Sequence, residues 1–176
     1  MEKIKHNRFS KVLVLLMAVM MVLTMMPSGM WGSTETAWAD TSGMSEIRTA
    51  EEFAAMEAGG NYKLTADITV TAPYPSEFTG TFDGDGHTVT LAIDTPEKNY
   101  VGLFSKLGNN ATVKNLAVTG NVSGNEYVAG IAGENASGTI SSCKNMADIS
   151  ANGRYVGGIA GKNSGNINSS YNMGRV

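Results

Sequence analysis

The sequence predicts an all-β fold, and within that class a parallel β-helix, or β-solenoid. Three observations predict it: a repeat of about 27 residues, three short strand-like pieces in each repeat, and Gly, Asn and Ser between those pieces. Such residues end short strands and form turns. No repeat holds the run of helical periodicity that leucine-rich or ankyrin units require. We therefore expect about three solenoid coils, preceded by an N-terminal helical cap.

The repeat is defined by three segments that each begin with tyrosine and valine. They start at Tyr100, Tyr127 and Tyr155, and the second interval is one residue longer than the first. We expect that extra residue in the loop before Tyr155. Several apolar positions match across the three units, which indicates a true repeat. The matching positions form three columns: Phe104, Ile131 and Ile159; Val113, Ile140 and Ile167; and Val122, Ile149 and Val176.

Stacking of the repeats explains these columns. Strands of successive coils lie about 4.8 Å apart, so each column becomes an apolar ladder inside the solenoid. Val128 and Ile131 are three positions apart, and a bend at Gly130 would let both side chains face inward. Asn145 and Asn172 share a column in which stacked amides and a solvent-facing turn are both open interpretations. We expect the three tyrosines to form a stripe at one corner.

The residues before the repeat predict a cap and a first coil. Residues 47–58 have the spacing of a short helix, which Gly59 and Gly60 would end. A helix there would cover the apolar side chains and unpaired backbone at the open end of a solenoid. Strand-like runs follow at residues 62–71, 78–82 and 87–93.

The N-terminal segment, residues 1–39, has the pattern of a cleavable secretory signal. Lys3, Lys5, Arg8 and Lys11 precede an apolar run at residues 12–26, and Ala37-Trp38-Ala39 offers small residues for a signal peptidase. The run is shorter than the ~20 residues of a membrane-spanning helix. We therefore divide the chain into a signal peptide at 1–39, a cap and first coil at 40–99, and repeats at 100–176. The mature protein is expected outside the cell, at its surface.

Composition limits the partners and the sources of stability. After removal of residues 1–39, nine Lys and Arg stand against 14 Asp and Glu, a net charge of about −5. Since the bases do not cluster, nucleic acid is not an expected partner, and a host or cell-wall glycan or protein is left open. Cys143 is the single cysteine, so burial rather than an internal disulfide must stabilise the domain.

Few residues suggest chemistry. Asp83 and Asp85 could chelate calcium, but His87 stands where an EF-hand loop requires another oxygen ligand. The Asp-Gly pairs favour a hairpin-type turn instead. His87 is the only histidine after residue 39, which excludes an H-E-x-x-H zinc site. For Cys143 a packing role is favoured over a catalytic thiol. We expect no catalytic, cofactor-binding or metal-binding residues.

Three segments resemble the GLUG-motif repeat proteins of bacterial surfaces. They are FTGTFDGDGHTV at 78–89, YVGGIAGKN at 155–163 and YNMGRV at 171–176. The same repeat occurs in the N-terminal part of immunoglobulin A1-cleaving metallopeptidases. The resemblance covers residues 47–176, and Leu103-Phe104 depart from the Gly-Ile of later units. It implies a right-handed β-helix displayed outside the cell, often as the stem of a larger protein, and it supplies no catalytic residues.

These observations predict an extracellular or cell-surface module with a structural, adhesive or spacer role, and not an enzyme. The alternative is the non-catalytic N-terminal region of an exported metallopeptidase or polysaccharide-degrading enzyme whose catalytic domain is absent. Further repeats and a wall anchor after Val176 would favour the first, and a zinc motif the second. An uncovered last coil is a template for edge pairing. We therefore expect the native protein to be longer, or this end to dock onto a partner.

Overall fold

Residues 43–176 are described by the structure, a computed structural model, and form a parallel β-solenoid of about four turns. The predicted signal peptide lies outside these residues. The described chain has one helix, α1 (Ala50–Ala54). Its strands are β1 (Ser45–Ile47), β2 (Asn61–Leu64), β3 (Ile68–Val70), β4 (Tyr74–Phe78), β5 (Thr81–Asp83), β6 (Thr88–Asp94), β7 (Phe104–Leu107), β8 (Thr112–Lys114), β9 (Ala117–Gly124), β10 (Val128–Ala129), β11 (Ala132–Asn135), β12 (Thr139–Ser141), β13 (Lys144–Asn145), β14 (Asp148–Ala151), β15 (Val156–Gly157), β16 (Ala160–Asn163), β17 (Asn166–Asn168) and β18 (Tyr171–Asn172).

The chain visits three sheets in turn and returns to each one layer higher. Sheet 1 has the order β1-β2-β5-β8-β12-β17, sheet 2 the order β3-β6-β9-β13-β18 with β14 also beside β9, and sheet 3 the order β4-β7-β11-β16. A short corner pair joins β10 and β15. The strand pairs of this topology are parallel, for example β8 with β12 and β12 with β17. The predicted parallel β-solenoid is therefore confirmed.

Two of the predicted apolar columns lie in register. Ile140 pairs with Val113 on one side and with Ile167 on the other, and Ile149 pairs with Val122. Beyond Ile149 the ladder weakens, because Val176 belongs to no strand and is 63% exposed. The extra residue before Tyr155 is also confirmed, because the loop from β14 to β15 is one residue longer than the loop from β9 to β10.

In the remaining column, that of Phe104, Ile131 and Ile159, the predicted place of Phe104 was wrong by one residue. Phe104 pairs with Ala132, and Ala132 with Ala160, so Phe104 does not lie beside Ile131. The first repeat has one residue fewer between Val101 and β7 than the second has between Val128 and β11, which shifts the alignment. Leu103 takes the position next to Ile131, since its N–H donates to the Gly130 carbonyl (3.1 Å) just as that of Phe104 donates to Ile131 (2.8 Å).

The segment before the repeat departs from its prediction in two ways. The helix ends at Ala54 instead of reaching residue 58, and Ile47 belongs to β1, which pairs with β2 and thus extends the solenoid. The run at residues 62–71 is two strands on different sheets, as is the run at 78–82. Apolar side chains on both sides of a solenoid corner face inward, so two strands resemble one uninterrupted run.

An aromatic cluster fills the N-terminal end of the core. Thr49 caps α1 by accepting the Glu52 N–H at 3.2 Å, and the helix buries Phe53, which is 2% exposed. The Phe53 ring meets those of Phe82 and Phe104 edge to face, with centroids 5.8 Å away in both cases. Such pairs add about 0.5–1.5 kcal/mol beyond area burial. Within residues 43–176, no helix is long and apolar enough to cross a membrane.

Candidate functional surface

The three repeat tyrosines form a stacked stripe, as predicted. The ring of Tyr127 lies 4.4 Å from that of Tyr100 and 4.6 Å from that of Tyr155, centroid to centroid, with 16° between the planes in each pair. All three residues have positive φ, between 58° and 64°. This left-handed conformation is unusual for a bulky residue. Its recurrence identifies the tyrosine stripe as a corner that every repeat builds in the same way.

A ladder of alternating charge runs beside the tyrosine stripe. Glu134 lies between Lys106, whose Nζ is 3.6 Å from Oε2, and Lys162, whose Nζ is 2.9 Å from Oε1. The three occupy one register column of sheet 3. The hydrogen bond from Lys162 lowers the pKa of Glu134 and raises that of Lys162. The Lys106 ammonium also lies 4.2 Å from the Tyr100 ring centroid, within cation–π range.

Sequence reasoning missed this charge ladder. The signal was present, because Lys106, Glu134 and Lys162 recur at one constant interval, which equals that from Tyr127 to Tyr155 and is one residue longer than that from Tyr100 to Tyr127. The repeat was defined from apolar and tyrosine positions alone, and the charges were treated as scattered.

Side-chain amides form a second kind of ladder. Asn145 and Asn172 bind each other between layers, as the stacked-amide interpretation predicts. Asn145 is fully buried and donates from Nδ2 to Oδ1 of Asn172 at 2.6 Å. It also bridges the Ala147 backbone, accepting from N–H at 3.1 Å and donating to the carbonyl at 3.0 Å. A Cβ at Gly130 would overlap the Oδ1 of Asn145. Gly130 is thus needed for close approach as well as for any bend.

A matching amide ladder on sheet 3 was not predicted. Asn135 is fully buried and donates to Oδ1 of Asn163 at 2.7 Å, while its own Oδ1 accepts from the Gly138 N–H at 2.9 Å. The available signal was that the two asparagines stand one repeat length apart. Both ladders satisfy buried polar groups across layers, as buried polar atoms require.

The Asp-Gly segment forms the predicted turn. The His87 N–H donates to the Gly84 carbonyl at 2.7 Å, and Asp85 and Gly86 have φ of 47° and 82°. It is not a hairpin turn, however. The strands it joins, β5 and β6, belong to different sheets, so the turn is a solenoid corner.

The Asp83 carboxylate makes hydrogen bonds and an ion pair within the protein. Its Oδ1 accepts from the Asp85 N–H and the Asn115 amide, both at 3.0 Å, and its Oδ2 lies 3.1 Å from Lys114 Nζ. Burial opposes ionisation, yet these hydrogen bonds and the Lys114 charge lower the Asp83 pKa overall. Asp85 Oδ2 lies 3.6 Å from Lys63 Nζ. The part of the chain seen in the structure contains no cluster of three or more His, Cys, Asp or Glu that could hold a metal ion.

The remaining candidates also make structural contacts. His87 Nδ1 lies 3.2 Å from Asp67 Oδ1. Cys143 is fully buried, and its N–H donates to Ser170 Oγ at 3.0 Å, which is in line with the packing role favoured from the sequence. Burial raises the pKa of the Cys143 thiol to about 11. Since the thiolate is the nucleophile, this thiol is poorly reactive at neutral pH.

Comparison with known proteins places the chain in no family. No protein-family model matches it, and no solved structure matches it. Among curated proteins it is similar to halomucin of Haloquadratum walsbyi, with 32% identity over 108 residues. That match covers 60% of this chain but 1% of halomucin, so the chain corresponds to a very small part of that protein.

Proposed function

We propose that the chain is an extracellular, cell-surface spacer module of the GLUG-motif type, in which a right-handed solenoid acts as a rigid structural element and has no catalytic role. The main support is that side chains of neighbouring layers bind one another, both on the surface and inside the solenoid. The tyrosine stripe, the charge ladder and the Asn145–Asn172 amides all join adjacent layers. Side chains used in this way stiffen a rod and are not left free to act on a substrate.

The N-terminal end supports the same role. Phe53 is held against the aromatic cluster of the first layers, and α1 thus acts as the cap that the exposed end of a solenoid requires. The similarity to a protein named halomucin is compatible with a location outside the cell. The sequence pattern of residues 1–39 supports export.

Export and inertness are tested together. The full chain, expressed in a bacterial host with a C-terminal tag, should reach the medium or surface with Asp40 as its first residue by mass spectrometry. A variant with Ala37→Asp and Ala39→Asp should remain unprocessed, because both cleavage-site positions need small residues. Retention of the unaltered chain in the cytoplasm would contradict the location. Saturable binding of the exported chain to host-cell or cell-wall glycans would replace the spacer role with an adhesive one.

A further inference from the structure

The last layer, residues 149–176, differs in charge from the layer beneath it. It contains Arg154, Lys162 and Arg175 and no Asp or Glu, whereas residues 122–148 contain Glu126, Glu134 and Asp148 with Lys144 as the only base. A basic layer therefore lies on an acidic one.

The opposite charges meet across the boundary between the two layers. Arg154 Nε lies 3.6 Å from Glu126 Oε1, and Lys162 Nζ lies 2.9 Å from Glu134 Oε1. At the third position the contact is with the backbone, since the main-chain N–H of Arg175 donates to Asp148 Oδ1 at 3.0 Å. Adjacent layers thus pair opposite charges, and because Glu134 also pairs with Lys106 of the layer beneath it, an acid can lie above a base as well as below one.

The opposite side of the last layer lacks such a neighbour among the described residues. Strands β15, β16, β17 and β18 each end their sheet. Ile159 and Ile167 are only partly buried, whereas Ile131 and Ile140 in the layer below are fully buried. Tyr171 and Met173 are 54% and 67% exposed.

The amide ladders show what this edge can still bind. Asn135 uses Nδ2 twice, for the Gly138 carbonyl and for Asn163 of the next layer. Asn163 repeats only the first of these bonds, to the Gly165 carbonyl at 3.1 Å. Asn172 likewise donates to the Gly174 carbonyl at 2.9 Å. Each amide has a second hydrogen available for an acceptor in an added layer.

We propose that this edge binds an acidic solenoid layer of the same repeat type. Its strands would add in parallel to β16, β17 and β18, with carboxylates beside Arg154, Lys162 and Arg175 and apolar side chains over Ile159 and Ile167. Main-chain hydrogen bonds give such strand addition its affinity, and side chains give specificity. A second copy of the last layer is a poor occupant, because it brings three more cationic side chains and no Asp or Glu. The inference does not depend on the proposed surface role.

The test extends the full chain after Val176 with one further layer copied from its own acidic layer, residues 123–149. A control extension carries Gln, Gln and Asn in place of the copied Glu126, Glu134 and Asp148, and serine replaces the copied Cys143 in both. At about 20 mM salt the acidic extension should lower the unfolding equilibrium constant about fivefold relative to the amide control, from two partly exposed charge pairs at Arg154 and Lys162. At about 1 M salt this difference should vanish.

Three outcomes would overturn the proposal. One is equal unfolding midpoints of the acidic and amide extensions at low salt. Another is an acidic extension that stays as sensitive to protease as an unfolded tail while the parent layers remain folded by circular dichroism. The third concerns the unextended chain, which should sediment as a monomer. A dimer that dissociates when the acidic layer is added would assign the edge to a second copy instead.

Discussion

Replacement of Asn145 by alanine tests whether the buried amide ladder stabilises the solenoid. Asn145 is fully buried, and its side chain satisfies both the N–H and the carbonyl of buried Ala147. The variant N145A leaves those two groups without these partners, and each such buried group costs about 1–3 kcal/mol. We therefore expect the free energy of unfolding to fall by about 3 kcal/mol.

The assay is urea unfolding of the full chain followed by far-ultraviolet circular dichroism, with the midpoint and slope fitted together. The matched control is N172A, because Asn172 makes the equivalent bonds to Gly174 at an exposed position where water can replace them. N172A also removes the acceptor of one Asn145 N–H, so its cost should be about 1 kcal/mol, clearly below that of N145A. A loss below about 1 kcal/mol for N145A, or equal losses for both variants, would refute the reasoning.

Three further predictions concern the surface ladders and the thiol. The pKa of Glu134 is lowered in the folded chain. Its contribution to stability is therefore complete above its unfolded pKa of about 4.3 and is lost as pH falls through the folded value. Between about pH 5 and 3 the melting temperature of E134Q should fall less than that of the unaltered chain, and near pH 7 the substitution should cost no more than about 1 kcal/mol. A melt as pH-dependent as that of the unaltered chain would contradict this role. Y127A removes the middle ring of the tyrosine stripe and should lower the melting temperature more than Y155A, which removes one stacked contact instead of two. Cys143, whose pKa is raised to about 11, should react with iodoacetamide at pH 7.5 only in urea; rapid labelling of the folded chain would contradict its burial.

The solenoid could be predicted because the repeat period is visible wherever equivalent positions of successive repeats are all apolar. Val113, Ile140 and Ile167 match at constant spacing, and the structure pairs them. Phe104 was misplaced because the period changes locally by one residue at a corner, where backbone geometry decides the alignment. The ends of α1 were misjudged for a related reason. Ile47 pairs with β2, and this long-range contact overrides local helical spacing.

The candidate surface was less predictable than the fold. Tyrosine recurs unchanged, so its stripe could be read directly from the spacing. The charge ladder alternates Lys, Glu and Lys at one position, and an alternating column resembles variation unless charge is compared between layers. The burial of Asn145 was not decidable from sequence, since asparagine in a turn is usually exposed. It depends on Gly130 leaving room for the amide.

Stability should decrease along the solenoid from its N-terminal to its C-terminal end. In a stacked array each layer is stabilised mainly by its neighbours, so a layer bonded on one side opens more easily than one bonded on both. Phe82 and Phe104 lie in the fully buried aromatic cluster near α1, whereas Ile159 and Ile167 are only partly covered.

Native-state hydrogen exchange should therefore show the lowest protection in β15–β18 and the highest in β5–β8. The acidic extension gives a matched comparison, because it covers the last layer without altering the aromatic cluster. Protection should rise in β16 and β17 when the extension is present and stay unchanged in β5. Uniform protection from β5 to β17 in the unextended chain would mean that the layers open as one cooperative unit, and the nearest-neighbour account of stability would fail.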